Sequence, residues 1–146
     1  MEKRINIAEI EPAAYKALLG LENYLANISI SHTLKELIKI RASQINGCAF
    51  CINMHTVDAR KQGETEKRIY LLNAWREVDG LYTAEERAVL ALTEEMTLIA
   101  NGGVSEETYQ TAKSFFNDNE LAQIMMAIIT INSWNRMSVA TQLQPA

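Results

Sequence analysis

Cys48, Cys51 and His55 are the residues of this chain whose types and spacing could do chemistry. The two cysteines, the only ones present, stand three apart, and the histidine follows four later. On a helix turning about 100° per residue, these intervals bring all three side chains within roughly 60° of one another. Two thiols beside an imidazole can form and break a disulfide, attack an electrophile, or hold a metal ion. Gly47 interrupts the chain just before Cys48, so the pair is expected to open a new helix. There, unpaired backbone N–H groups and the helix dipole favour a thiolate over a thiol.

A free thiol with a pKa near 8.5 is only about 3% ionised at pH 7, and a fall of roughly two units makes it mostly thiolate. That fall corresponds to about 2.7 kcal/mol between protonation states. A helix N-terminus supplies about 0.3–1 kcal/mol, so it cannot do this alone. His55, one turn beyond Cys51, is the natural supplement, as base or as imidazolium partner. Glu36, twelve positions before Cys48, could orient His55 or relay its proton if the preceding helix folds back far enough. Thr33-Leu34-Lys35-Glu36 also matches a capping box, in which Glu36 would merely bond the backbone at a helix start.

The elements that must hold these residues read as helices throughout. Two prolines and six glycines in 146 residues, with no sustained alternation of period two, favour an all-α chain. A first helix is expected from near Glu11, with Pro12 in its first turn, to about residue 26, with Tyr15, Leu18, Leu19 and Leu25 as its apolar stripe. A second, capped by Ser31 or Thr33, runs to about residue 45 and buries Leu34, Leu37, Ile38 and Ile45. The cysteine helix spans 47–61, with Gly63 just past its end. A fourth covers 64–75 with Ile69, Leu72 and Trp75 inward. Gly80 marks a turn in the connection that follows, and the capping box Thr83–Glu86 opens a helix to about residue 100 carrying Val89, Leu92, Met96 and Ile99. Ser105 caps a sixth over 106–116, residues 117–119 break it, and the last helix covers 120–142. The charged runs 64–68 and 85–87 read as solvated helix faces. His32 reads as a loop residue. Met125, Met126, Trp134 and Met137 read as core, while Asn135 and Arg136 fit either a pocket or an interface.

Composition narrows the function classes. One domain spanning residues 1–146 is long enough for a real core. With 48% hydrophobic and 22% charged residues and a net charge of −4, the chain has the profile of a globular protein. No basic run invites nucleic acid or an anionic membrane. The start reads as lacking a signal peptide, and the longest apolar run, 124–129, is far short of the roughly 20 residues of a membrane span. A cytoplasmic address is therefore expected. A reducing cytosol and a very short loop argue against a purely structural disulfide. Zinc bound by the two cysteines, His55 and Glu36 is an alternative, although three ligands on adjacent turns crowd a tetrahedral ion. Two idle buried thiols are another.

Glu36, Cys48, Cys51 and His55, set in the segment SQINGCAFCINMH (residues 43–55), resemble the alkylhydroperoxidase AhpD-like branch of the carboxymuconolactone decarboxylase family. The shared pattern is E-x11-C-x-x-C-x-x-x-H, and the similarity extends over most of the chain, including INSWNR at 131–136. The resemblance implies an AhpD-like domain of about six to seven helices acting as a thiol-dependent peroxidase or disulfide reductase. Cys51 would attack the hydroperoxide, Cys48 would resolve it as a disulfide, and His55 and Glu36 would relay protons. It implies no bound flavin, haem or metal. The electron donor would be a dithiol or a lipoyl-bearing protein, and the assembly a trimer or hexamer. One departure is Phe50, where the best-studied peroxidase members carry a second histidine; it bears on peroxidase efficiency and the choice of oxidant, not on the dithiol chemistry. Lactone decarboxylation, the family's other activity, and a non-catalytic redox-sensing module are the competing readings. The apolar last helix, if not wrapped by its own chain, would lie in a subunit interface.

Overall fold

The computed structural model describes residues 2–146, and every regular element among them is helical. The elements are α1 (Ile7–Ile10), α2 (Pro12–Ala26), α3 (His32–Asn46), α4 (Ala49–Lys61), α5 (Glu66–Tyr70), a 3-10 helix (Leu72–Glu77), α6 (Ala84–Thr97), α7 (Glu106–Phe115) and α8 (Asp118–Ala140). Six of them are long, which matches the expected all-α architecture. Side-chain caps set the starts: Ser31 for α3, Thr83 with Glu86 for α6, Ser105 for α7.

α3 is the axis of the molecule, with α4, α6 and α8 packed around it. Leu34, Ile38 and Ala42 pack with Val89 and Leu92 of α6 and with Leu121, Ile124, Ala127, Ile128 and Ile131 of α8. The other side of α3, Leu37 and Ile40, packs with Ala59, Ile69, Leu72, Trp75, Tyr82 and Leu90. A helix covered on two sides buries its polar residues too, and Lys35 and Glu36 are both below a tenth exposed.

Several expectations are corrected. The helix expected over 64–75 is instead α5 followed by the 3-10 helix, with Ala74 outside helical φ/ψ. Ile69, Leu72 and Trp75 recur every three residues, and all three are buried. Three-residue turns line such a set along one side, whereas an α-helix would swing Trp75 away from Ile69 by about 120°. Residues 117–119 are not merely a break: Asn117 and Glu120 form a capping box and start α8 at Asp118. A single turn, α1, precedes the first expected helix, held by Asn6. In α2, Leu25 is buried but Leu19 is 39% exposed, so the stripe is only partly covered.

The charged runs are not simply solvated. Arg68 bridges Glu64 (Nε to Oε1, 2.7 Å) and Glu86 (Nη2 to Oε1, 2.8 Å), tying α5 to α6. Arg87 donates to the backbone carbonyls of Trp75, Arg76 and Val78. The Arg87 guanidinium thus supplies donors to the Arg76 and Val78 carbonyls where the 3-10 helix ends.

The last helix is mostly wrapped by its own chain, with Ile124, Ala127 and Ile128 inaccessible and Ile129 left 44% exposed. Among the described residues, no helix is long and apolar enough to cross a membrane.

Candidate active site

The site is built where α3 ends and α4 begins. Gly47 adopts φ 65°, ψ 33°, a left-handed conformation natural to glycine. Its N–H donates to the Gln44 carbonyl, and that of Cys48 donates to Ser43, which is the Schellman arrangement. The chain thus stops one helix and starts another with no intervening loop. Cys48 is itself the N-cap of α4: its Sγ accepts from the N–H of Cys51 at 3.3 Å. The expected helix start is found, with Cys48 as the cap rather than inside the first turn.

Cys48 and Cys51 are 2% and 1% exposed and are joined in a disulfide, with Cα atoms 5.3 Å apart. That separation lies in the ordinary range for a bridge. The pair can therefore close while α4 keeps its helical form. The first-turn N–H that seeks an acceptor points at the Cys48 sulfur, so the helix terminus favours negative charge there. His55 lies one turn beyond Cys51 on the same helix, buried at 6% exposure.

Glu36 meets His55 from α3. Its Oε2 lies 3.4 Å from Nδ1 of His55, a loosely aligned approach in which neither buried atom has a hydrogen-bond partner. A shortening of about half an ångström would make it a full bond. The alternative role for Glu36 in a capping box is ruled out, because Ser31 caps α3 and takes the N–H of Leu34. Burial pushes the Glu36 carboxyl up, but the His55 contact and the positive charge of Lys39 outweigh it and hold the group below the usual carboxylate range. An ionised Glu36 can accept a hydrogen bond from Nδ1–H of His55 once the two groups close up, which leaves Nε2 as the basic nitrogen.

Sequence reasoning missed the second layer around these four residues. Lys39 Nζ stands 3.7 Å from Glu36 Oε1 and 3.9 Å from Glu22 Oε2, and Glu22 accepts from Trp134 Nε1 at 2.9 Å. The i, i+3 spacing of Glu36 and Lys39 was a readable signal; nothing local marked Glu22. On the α8 side, Asn46 donates to Asn132 and Asn135, each at 2.9 Å, and Asn135 donates to Ser43 at 3.0 Å. Asn135 is wholly buried and so belongs to the support of the Cys48 turn, not to a pocket or an interface. Arg136 is exposed and hydrogen-bonded to Asn132. Trp134 packs against the core as expected, edge-on to Tyr15 at 5.5 Å, and His32 is exposed at the start of α3. Among the described residues, no group of three or more His, Cys, Asp and Glu side chains converges as a metal site.

Asn135→Ala should leave Asn46 and Ser43 short of partners and lower stability by about 1–3 kcal/mol. Urea denaturation checks this. An unchanged midpoint would show that the asparagine network does not support the turn.

Comparison with known proteins agrees with this geometry. The family model described as carboxymuconolactone decarboxylase matches residues 12–95. The uncharacterized protein YdfG of Bacillus subtilis (strain 168) is 48% identical over 140 residues, covering 96% of this chain and 95% of its own. A crystal structure from Agrobacterium tumefaciens, a protein of unknown function described as a putative antioxidant defence protein AhpD, superposes with a TM-score of 0.95 at 41% identity, covering 99% of both chains. The debrominase Bmp8, in complex with 2,3,4-tribromopyrrole, shares the fold with a TM-score of 0.83 at 20% identity, over 94% of this chain and 73% of that one.

Proposed function

The chain belongs to the carboxymuconolactone decarboxylase family, and from that premise we propose that it is a thiol-dependent alkyl hydroperoxide reductase of the AhpD-like kind. The observation that carries this reading is a bonded Cys48–Cys51 pair at a helix start, with a buried Glu36–His55 couple one turn away. In the reduced protein, His55 takes the Cys51 proton and the thiolate attacks the peroxide oxygen. The S–O bond forms as the O–O bond breaks, the alcohol leaves with the proton returned by His55, and Cys51 becomes a sulfenic acid. Cys48 then attacks the Cys51 sulfur, water leaves, and the disulfide closes. An external dithiol reopens it by exchange, ending as a disulfide itself. The sum is one hydroperoxide and one dithiol consumed, one alcohol, one water and one donor disulfide formed.

The donor in this reading is a small dithiol or a lipoyl-bearing protein, and a reducing compartment such as the cytoplasm suits the cycle. Assembly into a trimer or hexamer is part of this reading, and Ile5, Ile10, Leu19, Tyr24 and Ile129 are exposed apolar residues available to it. An alkyl hydroperoxide with excess dihydrolipoamide is expected to give sustained turnover. A single oxidation event without turnover would favour a redox-sensing module. Activity untouched by thiol alkylation would favour lactone chemistry.

A further inference from the structure

Glu36 is 5% exposed and its two oxygens face different partners, His55 on Oε2 and Lys39 on Oε1. A carboxylate buried beside a histidine alone has nothing to hold it once the imidazole swings or changes charge. Lys39 supplies that hold from the same helix. Its own side chain is only 12% exposed, and its ammonium stands 3.9 Å from Oε2 of Glu22 on α2, whose other oxygen accepts from Trp134 of α8. A chain of charges thus runs from a helix that carries none of the four reactive residues, through α3, to the imidazole on α4.

We propose that Lys39 is a positioning residue, anchored by Glu22, that keeps the Glu36 carboxylate aimed at His55. The proposal rests on the hydroperoxide reductase reading for its catalytic consequence, but not for its geometry. Among the described residues, no lysine or arginine other than Lys39 lies within ion-pair distance of Glu36. The remaining titratable groups that act on Glu36 are His32 on α3 and His55 on α4. On the other elements packed against α3, Glu94 of α6 pairs with Arg41 and with Arg76 of the 3-10 helix, and Arg136 of α8 bonds Asn132.

Removing the lysine charge leaves burial to act on Glu36 with less opposition, so its carboxyl should titrate at higher pH. The direction follows from an opposite charge within about 4 Å favouring the ionised form by about one pH unit or more. The test uses Lys39→Met and Lys39→Gln, with Lys39→Arg as the charge-conserving control. Two readouts are followed: the carbon-13 NMR titration of the Glu36 carboxyl in the reduced protein, and the acid limb of hydroperoxide turnover. Both should move up by about one pH unit in the neutral variants and stay in place in Lys39→Arg. In a Glu36→Gln background, Lys39→Met should cause no further loss of turnover. A Glu36 titration unmoved in whichever neutral variant folds, or losses that multiply in the double variant, would overturn the proposal. If the wild type shows no turnover at all, the reductase reading falls, and the carboxyl titration alone still decides the role of Lys39.

Discussion

Replacing Cys51 by serine should abolish hydroperoxide turnover, while replacing Cys48 should leave one round of oxidation and then stop. A serine hydroxyl is un-ionised at neutral pH and no longer presents sulfur to the O–O bond, so the loss should reach at least about 10³-fold. Cys48→Ser keeps the attacking sulfur but removes its resolving partner. It should consume one equivalent of hydroperoxide per chain and halt at the sulfenic acid, visible by mass spectrometry as one added oxygen. Both sulfurs are nearly inaccessible, and the N–H at the helix start serves Cys48 rather than Cys51. The pair of variants therefore tests the assignment and not only the presence of thiol chemistry. A one-equivalent burst in Cys51→Ser, with none in Cys48→Ser, would give the attack to Cys48.

The second large effect belongs to the Glu36–His55 couple. His55→Gln should slow turnover by about 10²–10⁴-fold, the usual worth of a positioned acid–base group. It should also move the midpoint of Cys51 alkylation in the reduced protein up towards the ordinary thiol value of about 8.5. Alkylation that keeps the wild-type midpoint in His55→Gln would remove the imidazole from the mechanism. The same variant changes how stability depends on pH. The Glu36 carboxyl is held below its ordinary range in the folded chain. It therefore contributes stability that is present above the unfolded pKa of about 4.3 and is lost as pH falls through the lower folded value. Without His55 that contribution shrinks, and the acid unfolding midpoint should move to higher pH. Urea titrations at pH 3–6 would register the change.

The two effects are coupled through geometry. Glu36 Oε2 and His55 Nδ1 approach to 3.4 Å without a well-formed bond, and neither atom has a hydrogen-bond partner. Buried polar groups in that condition cost free energy in the resting protein. Here the pair is poised to tighten when the imidazole takes a proton and becomes a cation facing a carboxylate.

Much of this was legible before any coordinates. Caps at Ser31, Thr83 and Ser105, the glycine between two helices and the three-plus-four spacing of Cys48, Cys51 and His55 are local signals. They work because helix starts and stops are governed by hydrogen bonds reaching only a few residues along the chain. The same locality explains the errors. A recurrence of three at Ile69, Leu72 and Trp75 fits an α-helix by sequence, because helix type depends on which face finds a core to bury it. The arginines at 68 and 87 look solvated in the sequence because their partners lie on other elements.

What the amino-acid order determined by itself was the helical class, the cysteine pair at a helix start and the four residues of the candidate site. Tertiary packing alone decided that Glu36 faces His55 rather than capping its own helix, that Glu22 stands behind Lys39, and that Asn135 braces the turn at Cys48. Helical periodicity tells which side chains share a face. It carries no information about what folds against that face, and the Glu22 carboxylate and the Asn132 and Asn135 amides beside this site come from α2 and α8, far away along the chain.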